Sequence, residues 1–146
     1  MQKQKAVIFD IDETVANKSK ERSYREYDKV DLDAPINPTI KVLRHYFHAG
    51  YKIIFITSRR EYCSEKTVQW LDKYIGVEYE LFMRPEKQSK KEKYTESEVV
   101  KLEIYNQYVK DLYDVEAVFE DRQSVIEMWR KEGLYVFNCR QNNEIY

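Results

Sequence analysis

An apolar run, Ala6-Val7-Ile8-Phe9, leads directly into Asp10-Ile11-Asp12-Glu13-Thr14. Four consecutive apolar residues that stop abruptly at a polar turn predict a strand buried on both faces, as in a parallel sheet covered by helices. Open α/β sheets build their sites in the crevice at the C-terminal ends of such strands. Residues 10 and 12 of an extended chain point the same way, so Asp10 and Asp12 can address one small site together. Asp also favours turns after strands, so the pair taken alone reads equally well as a turn.

The remainder of the chain repeats the pattern. Lys52-Ile53-Ile54-Phe55-Ile56-Thr57 is a second buried strand, and Tyr79 to Met83, Ala117-Val118-Phe119 and Leu134-Tyr135-Val136-Phe137 are further strand candidates. Four helices fall between them. The first runs from about Pro38 to Ala49 with Asn37 as N-cap, and buries Ile40, Val42, Leu43, Tyr46 and Phe47 on one side. Its other side carries Lys41, Arg44, His45 and His48, and with no third ligand nearby the two histidines read as solvated. The others cover Glu65 to Tyr74, Ser97 to Leu112 and Ser124 to Lys131, with Gly50, Gly76 and Gly133 as stops. Strands alternating with helices predict a three-layer α/β domain over residues 1–146, with a central parallel sheet, right-handed crossovers and no internal repeat. Two stretches lack any periodicity. Residues 15–36 carry Lys18, Lys20, Arg22, Arg25 and Lys29 and read as a surface flap or minimal cap, and residues 87–93 read as a solvated loop.

Charge and composition narrow the function. A formal net charge of −1 excludes a uniformly basic nucleic-acid coat but leaves room for a local positive patch. No stretch approaches the roughly 20 apolar residues of a membrane span, and the start Met1-Gln2-Lys3-Gln4-Lys5 has no signal-peptide core, so a cytoplasmic, membrane-free protein is expected. Cys63 and Cys139 have no metal-ligand spacing and read as free thiols. Of the 13 tyrosines, most are expected in the core or at its rim, and those near a site can stack on a base.

Three further positions bear chemistry. Thr57-Ser58-Arg59 ends the second strand, where hydroxyls and N–H groups suit a phosphate oxygen; the alternative is a strand-to-helix turn with a Ser cap. Lys101 falls within the apolar arc formed by Ile104, Tyr105, Tyr108, Val109 and Leu112, so it either snorkels to solvent or meets a negative partner. Glu120-Asp121 follows a strand, and two more carboxylates beside Asp10 and Asp12 repel one another unless a cation sits among them. Oxygen ligands of this kind favour Mg²⁺, although Glu120 can instead pair with Arg122. A carboxylate attacking a phosphate dianion at about 4 Å meets a repulsion of roughly 8 kcal/mol at an effective dielectric near 20, which Mg²⁺ and a lysine relieve.

In order, Asp10-Ile11-Asp12-Glu13-Thr14, Thr57, Lys101 and Glu120-Asp121 resemble the four motifs of the haloacid dehalogenase superfamily, each after the expected element. The resemblance implies a Rossmann-like sheet, Asp10 as nucleophile, and Asp12 as acid/base that also binds Mg²⁺ through its backbone carbonyl. It further implies Thr57 and Lys101 on the phosphate and Asp121 on the metal, with Thr14 and Ser58 beside the substrate and Glu120 as a further metal candidate. Ala6 to Asp10, Ile36-Asn37-Pro38, Val99 to Ile104 and Glu120 through Arg130 are similar to the 3′-phosphatase domain of phage polynucleotide kinase. That likeness puts substrate-facing arginines near Arg22 or Arg25, Arg59 and Arg84. Thr57-Ser58 stands where that domain has Ser-Gly, and Glu120 where it has Asp. With only three glycines the chain has no phosphate-binding loop of the kinase half. The expected activity is Mg²⁺-dependent removal of 3′-phosphates from DNA or RNA ends during end repair, alongside a separate kinase or ligase. A nucleotidase or small-metabolite phosphatase on the same fold is the alternative. A non-catalytic module is a third reading, against which four carboxylates and a lysine at one sheet edge weigh.

Overall fold

The computed structural model describes residues 2–144 and 146; Met1, in the start segment discussed above, and Ile145 lie outside the described residues. In chain order the elements are β1 (Gln4–Phe9), β2 (Ala16–Asn17), β3 (Ala34–Pro35), α1 (Asn37–His48), β4 (Lys52–Arg60) and α2 (Ser64–Tyr74). There follow β5 (Glu80–Arg84), α3 (Ser97–Ile104), β6 (Tyr113–Glu120), α4 (Gln123–Lys131) and β7 (Val136–Asn138). Five strands form one sheet in the order β5-β4-β1-β6-β7, with every pairing parallel.

Alternation along β1 divides the core into two layers. Val7 and Phe9 pack with Ile40 and Leu43 of α1 and Trp70 and Leu71 of α2, whereas Ala6 and Ile8 pack with Val100 and Ile104 of α3 and Ile126 and Trp129 of α4. Because both faces of β1 are covered, its four apolar residues are all fully buried, as the uninterrupted run requires. The chain leaves β1 toward β4 on one side and later returns to β6 on the other, so the strand order reverses at β1. That switch point opens a crevice directly beyond Phe9.

Four expectations change. Ile36, not Asn37, is the N-cap of α1, Asn37 and Pro38 forming its first turn, and Val42 is exposed. β4 runs on through Thr57-Ser58-Arg59 to Arg60, so no Ser-capped turn forms there; an irregularity between Thr57 and Arg60 keeps it paired with β5. The helix from Ser97 does not stay α-helical. Tyr105–Val109 is a π turn in which Lys110 N–H bonds Tyr105 O at 2.8 Å, and the extra residue rotates the face beyond it. Val109 is therefore buried after Ile104, while Tyr108 and Leu112 turn outward.

The 15–36 flap is the fourth change. β2 and β3 pair antiparallel, Tyr27–Leu32 forms 3₁₀ turns, and Val15, Ala16, Val30, Arg22 and Asp33 are buried. Charge pairing rather than apolar periodicity orders this segment, which is why a hydropathy pattern leaves it blank.

Candidate active site

The Asp10 N–H bonds Phe119 O at 2.9 Å, holding residue 10 in line with the sheet and beside the end of β6. From α3, Lys101 Nζ reaches across to donate to Asp10 Oδ1 at 2.9 Å and to Glu120 Oε2 at 2.7 Å. The lysine is 3% exposed, so its place on the apolar arc reflects pairing, not snorkelling. Thr14 Oγ1 lies 3.4 Å from Asp10 Oδ2 and 3.5 Å from Asp121 Oδ1, tying the turn after β1 to the turn after β6. Glu120 does not use Arg122 as a salt-bridge partner. Its Oε1 instead accepts the backbone N–H groups of Asp121 and Arg122 at 3.1 and 3.2 Å.

Asp10, Glu120 and Asp121 present ligand oxygens within 4.8 Å of one another, all buried. Burial works to raise the Asp10 carboxyl, but the Lys101 charge and its hydrogen bonds hold it below the ordinary value. Lys101 is raised in turn: burial opposes its charge, and Asp10 and Glu120 outweigh it. Burial, then repulsion from Asp10, pushes Glu120 up to about 7 and Asp121 up to about 10. One ammonium thus faces three carboxylates, and the remaining two negative charges match a hard divalent cation such as Mg²⁺. Asp10 Oδ2 and Asp121 Oδ1 have only the distant Thr14 hydroxyl, at 3.4 and 3.5 Å, and Asp121 also bonds Tyr146, while both Glu120 oxygens are engaged at 2.7 to 3.2 Å.

Asp12 belongs to a different cluster. Arg59 donates to it from Nη2 at 2.8 Å and from Nε at 3.1 Å, and Arg22 Nη2 donates at 3.2 Å. Both arginines are anchored behind by Asp33, which accepts Arg22 Nε at 2.8 Å, Arg22 Nη2 at 2.7 Å and Arg59 Nη2 at 3.4 Å. Ser19 N–H also reaches Asp33, and Thr67 Oγ1 accepts Arg59 Nη1 at 3.1 Å. The Asp12 side chain remains 23% exposed where those of Arg22 and Arg59 are 0% and 1%. Asp33 and Thr67 were invisible in the sequence, because a lone Asp in a charged loop and a Thr within a helix carry no local signal.

A cavity of about 410 Å³ opens over both clusters, lined by Asp10, Asp12, Ser58, Lys101, Glu120 and Asp121. Thr57 lies just behind it, fully buried, with Oγ1 accepting Arg59 N–H at 3.1 Å. The other expected residues scatter. Arg25 is exposed and does not line the cavity; Arg84 is buried beside it, donating to Ser58 O at 3.1 Å and Thr95 O at 2.6 Å. Arg122, considered in the sequence only as a partner for Glu120, is exposed on the cavity wall and makes no ion pair among the described residues.

A parallel sheet with an aspartate pair beyond its central strand and a lysine and acidic pair converging on it defines a HAD-like phosphatase fold. Solved phosphatases of that architecture superpose on it. A class C acid phosphatase from Bacillus anthracis matches 97% of this chain with 69% of its own, at TM-score 0.65 and 16% identity, a likeness of fold alone. The chain belongs to the family of polynucleotide kinase PNKP phosphatase domains, whose model matches residues 4–143. A protein of Autographa californica nuclear polyhedrosis virus named as a bifunctional polynucleotide kinase/RNA ligase is 34% identical over 141 residues, covering 93% of this chain and 20% of the viral protein. A chain of the Pnkp1/Rnl/Hen1 complex matches 97% of this chain with 47% of its own, at 29% identity and TM-score 0.86. The chain therefore spans a fifth of that viral relative and about half of the structural one. Among the described residues no helix is long and apolar enough to cross a membrane.

Proposed function

We propose that this chain is a phosphomonoesterase that removes the 3′-phosphate from polynucleotide ends, working with kinase and ligase activities carried elsewhere. The contact of Lys101 Nζ with Asp10 Oδ1 at 2.9 Å, beside an independently held Asp12, carries the reading. An Asp10 oxygen attacks phosphorus, the P–O ester bond breaks, and Asp12 gives its proton to the departing sugar oxygen. Asp12 then takes a proton from the water that attacks the acyl phosphate, which frees inorganic phosphate and restores the Asp10 carboxylate. Lys101 offsets charge on the nucleophile and incoming phosphate, while Thr14 and Ser58 line the phosphate position. Mg²⁺ held by Asp10, Asp121 and the backbone carbonyl of residue 12 would supply the remaining charge neutralisation. Arg22 and Arg59 face Asp12 in this reading and hold it rather than the nucleic-acid backbone. RNA ends are the first to test, because the relatives' names refer to RNA ligase and RNA repair. A phosphate-release screen across 3′- and 5′-phosphorylated oligonucleotides and mononucleotides decides the matter. Release from 3′ ends with Mg²⁺, lost in EDTA, is expected. Equal use of mononucleotides gives the function to a nucleotidase instead, and preference for 5′-phosphates overturns the 3′-end reading.

A further inference from the structure

At about 410 Å³ the cavity has room for more than a phosphate group, a water molecule taking up about 30 Å³ of the liquid. Its floor is acidic, and two of its nearest guanidiniums, those of Arg22 and Arg59, are already matched by Asp12 and Asp33. Arg122, exposed on the cavity wall, is a cation left for the phosphate, and the group esterified to that phosphate then meets largely uncharged surface. The flap provides it. Tyr24 and Tyr27 line the same cavity as Asp10 and Asp12, and Tyr24 is 54% exposed. Tyr62, Tyr94 and Tyr135 are more exposed still, and what sets Tyr24 apart is its place on the wall of this cavity. The ring is not loose: Lys18 Nζ sits 5.2 Å from its centroid and is itself fixed by the carbonyls of Ser19 and Arg22 at 3.1 and 2.8 Å. Tyr27 leans on Tyr62, with ring centroids 6.3 Å apart. A fixed, exposed aromatic beside a cation is the platform on which single-stranded bases stack.

We propose that Tyr24 is a nucleobase platform that stacks the base of the nucleotide whose phosphate is presented to Asp10, with Tyr27 as the neighbouring wall. The proposal rests on the polynucleotide phosphatase reading and deepens it. A stack reads the flat π-face that every base has, so the platform accepts all four bases and either sugar. It also accounts for an ordered flap over an otherwise open crevice: Asp33 pins the flap from behind, and its outer surface carries the ring.

The test uses Tyr24→Ala and Tyr24→Phe, with Tyr135→Ala, an exposed ring outside the cavity, as control. Hydrolysis is measured for 3′-phosphorylated oligonucleotides whose terminal nucleotide either bears a base or is abasic. Binding is followed by the quenching of 2-aminopurine placed at that terminal position. In Tyr24→Ala the ratio of kcat/KM for base-bearing over abasic ends is expected to fall about 5- to 100-fold, the loss typical of one base–aromatic stack. Tyr24→Phe retains the ratio and the quenching, and Tyr135→Ala matches wild type. A ratio unchanged in Tyr24→Ala, or Tyr24→Phe as impaired as Tyr24→Ala, overturns the platform. If the wild-type protein releases nothing from 3′ ends, the polynucleotide reading fails. Quenching of 2-aminopurine nucleoside monophosphate by wild type but not by Tyr24→Ala then still supports the platform, and equal quenching by both rejects it.

Discussion

Two buried charge clusters meet under one cavity and are built on opposite principles. Around Asp12, two carboxylates face two guanidiniums, so Asp12, Asp33, Arg22 and Arg59 satisfy one another. Around Asp10, three carboxylates face the single ammonium of Lys101. A balanced cluster is complete without an added cation, and it holds Asp12 in place for the proton exchange proposed above. An unbalanced one is costly until something positive arrives, and the metal and reaction proposed above would meet that deficit. The pairs also explain why neighbouring aspartates two residues apart have such different surroundings: Asp10 faces β6 and α3, whereas Asp12 faces β4 and the flap.

The sharpest way to break this contrast is at the nucleophile. Asp10→Asn gives up the ion pair with Lys101 but relieves the repulsion on Glu120 and Asp121, so the fold should persist while phosphate release falls below about 1% of wild type, as loss of a covalent nucleophile entails. A variant that keeps substantial turnover shows that Asp10 is not the attacking group. Lys101→Met acts on the same cluster in the other direction. Turnover should drop about 10²- to 10³-fold, the scale of a lost electrostatic stabiliser. Without Mg²⁺ the protein should also lose roughly 3 kcal/mol at pH 8, because Asp10 and Glu120 lose their cation. Calorimetry that finds the variant as stable as wild type at that pH removes the claim of imbalance.

For the balanced cluster, Asp33→Asn is the probe. It leaves two guanidiniums on one carboxylate, so Asp12 is pulled from its position and the flap loosens. About 10-fold lower turnover is expected for an alkyl phosphate, with a smaller loss for p-nitrophenyl phosphate, whose leaving group needs little help from an acid. Equal losses on both substrates indicate general loosening, not misplacement of Asp12.

How far the sequence foretold the molecule also divides along these lines. Strand β1, the acidic ends of β1 and β6, and Lys101 were all legible, because an apolar run interrupted by charge is a strong local signal. Four scattered motifs in order then linked positions 10 and 101 before any geometry was known. The flap was not legible: its order comes from Asp33 meeting Arg22 and Arg59 across 11 and 26 residues, and such pairing has no period. Nor was the π turn at Tyr105–Val109, which changes which residues face inward without altering composition. The resemblance points to Arg22 and Arg59 as substrate-facing, whereas their partners show that both donate to Asp12.

The smallest expected effect is thermal and follows from the proton balance of the unbalanced cluster. Glu120 rises from 4.5 to about 7 and Asp121 from 3.8 to about 10 on folding, burial being the first cause of each. Without metal the folded state therefore binds more protons than the unfolded chain across that window, and stability declines as pH rises through it. Mg²⁺ needs the carboxylates ionised and takes the place of those protons, so its stabilisation grows with pH. At a concentration about 100 times its dissociation constant, a bound ligand contributes roughly 2.7 kcal/mol. For a chain of this size that corresponds to a Tm rise of about 5–10 °C. The rise should be seen at pH 8, shrink strongly at pH 5.5, and vanish in Asp121→Asn at both. Equal shifts at the two pH values mean that Mg²⁺ binds elsewhere on the protein, and a shift that survives Asp121→Asn removes that carboxylate from the metal site.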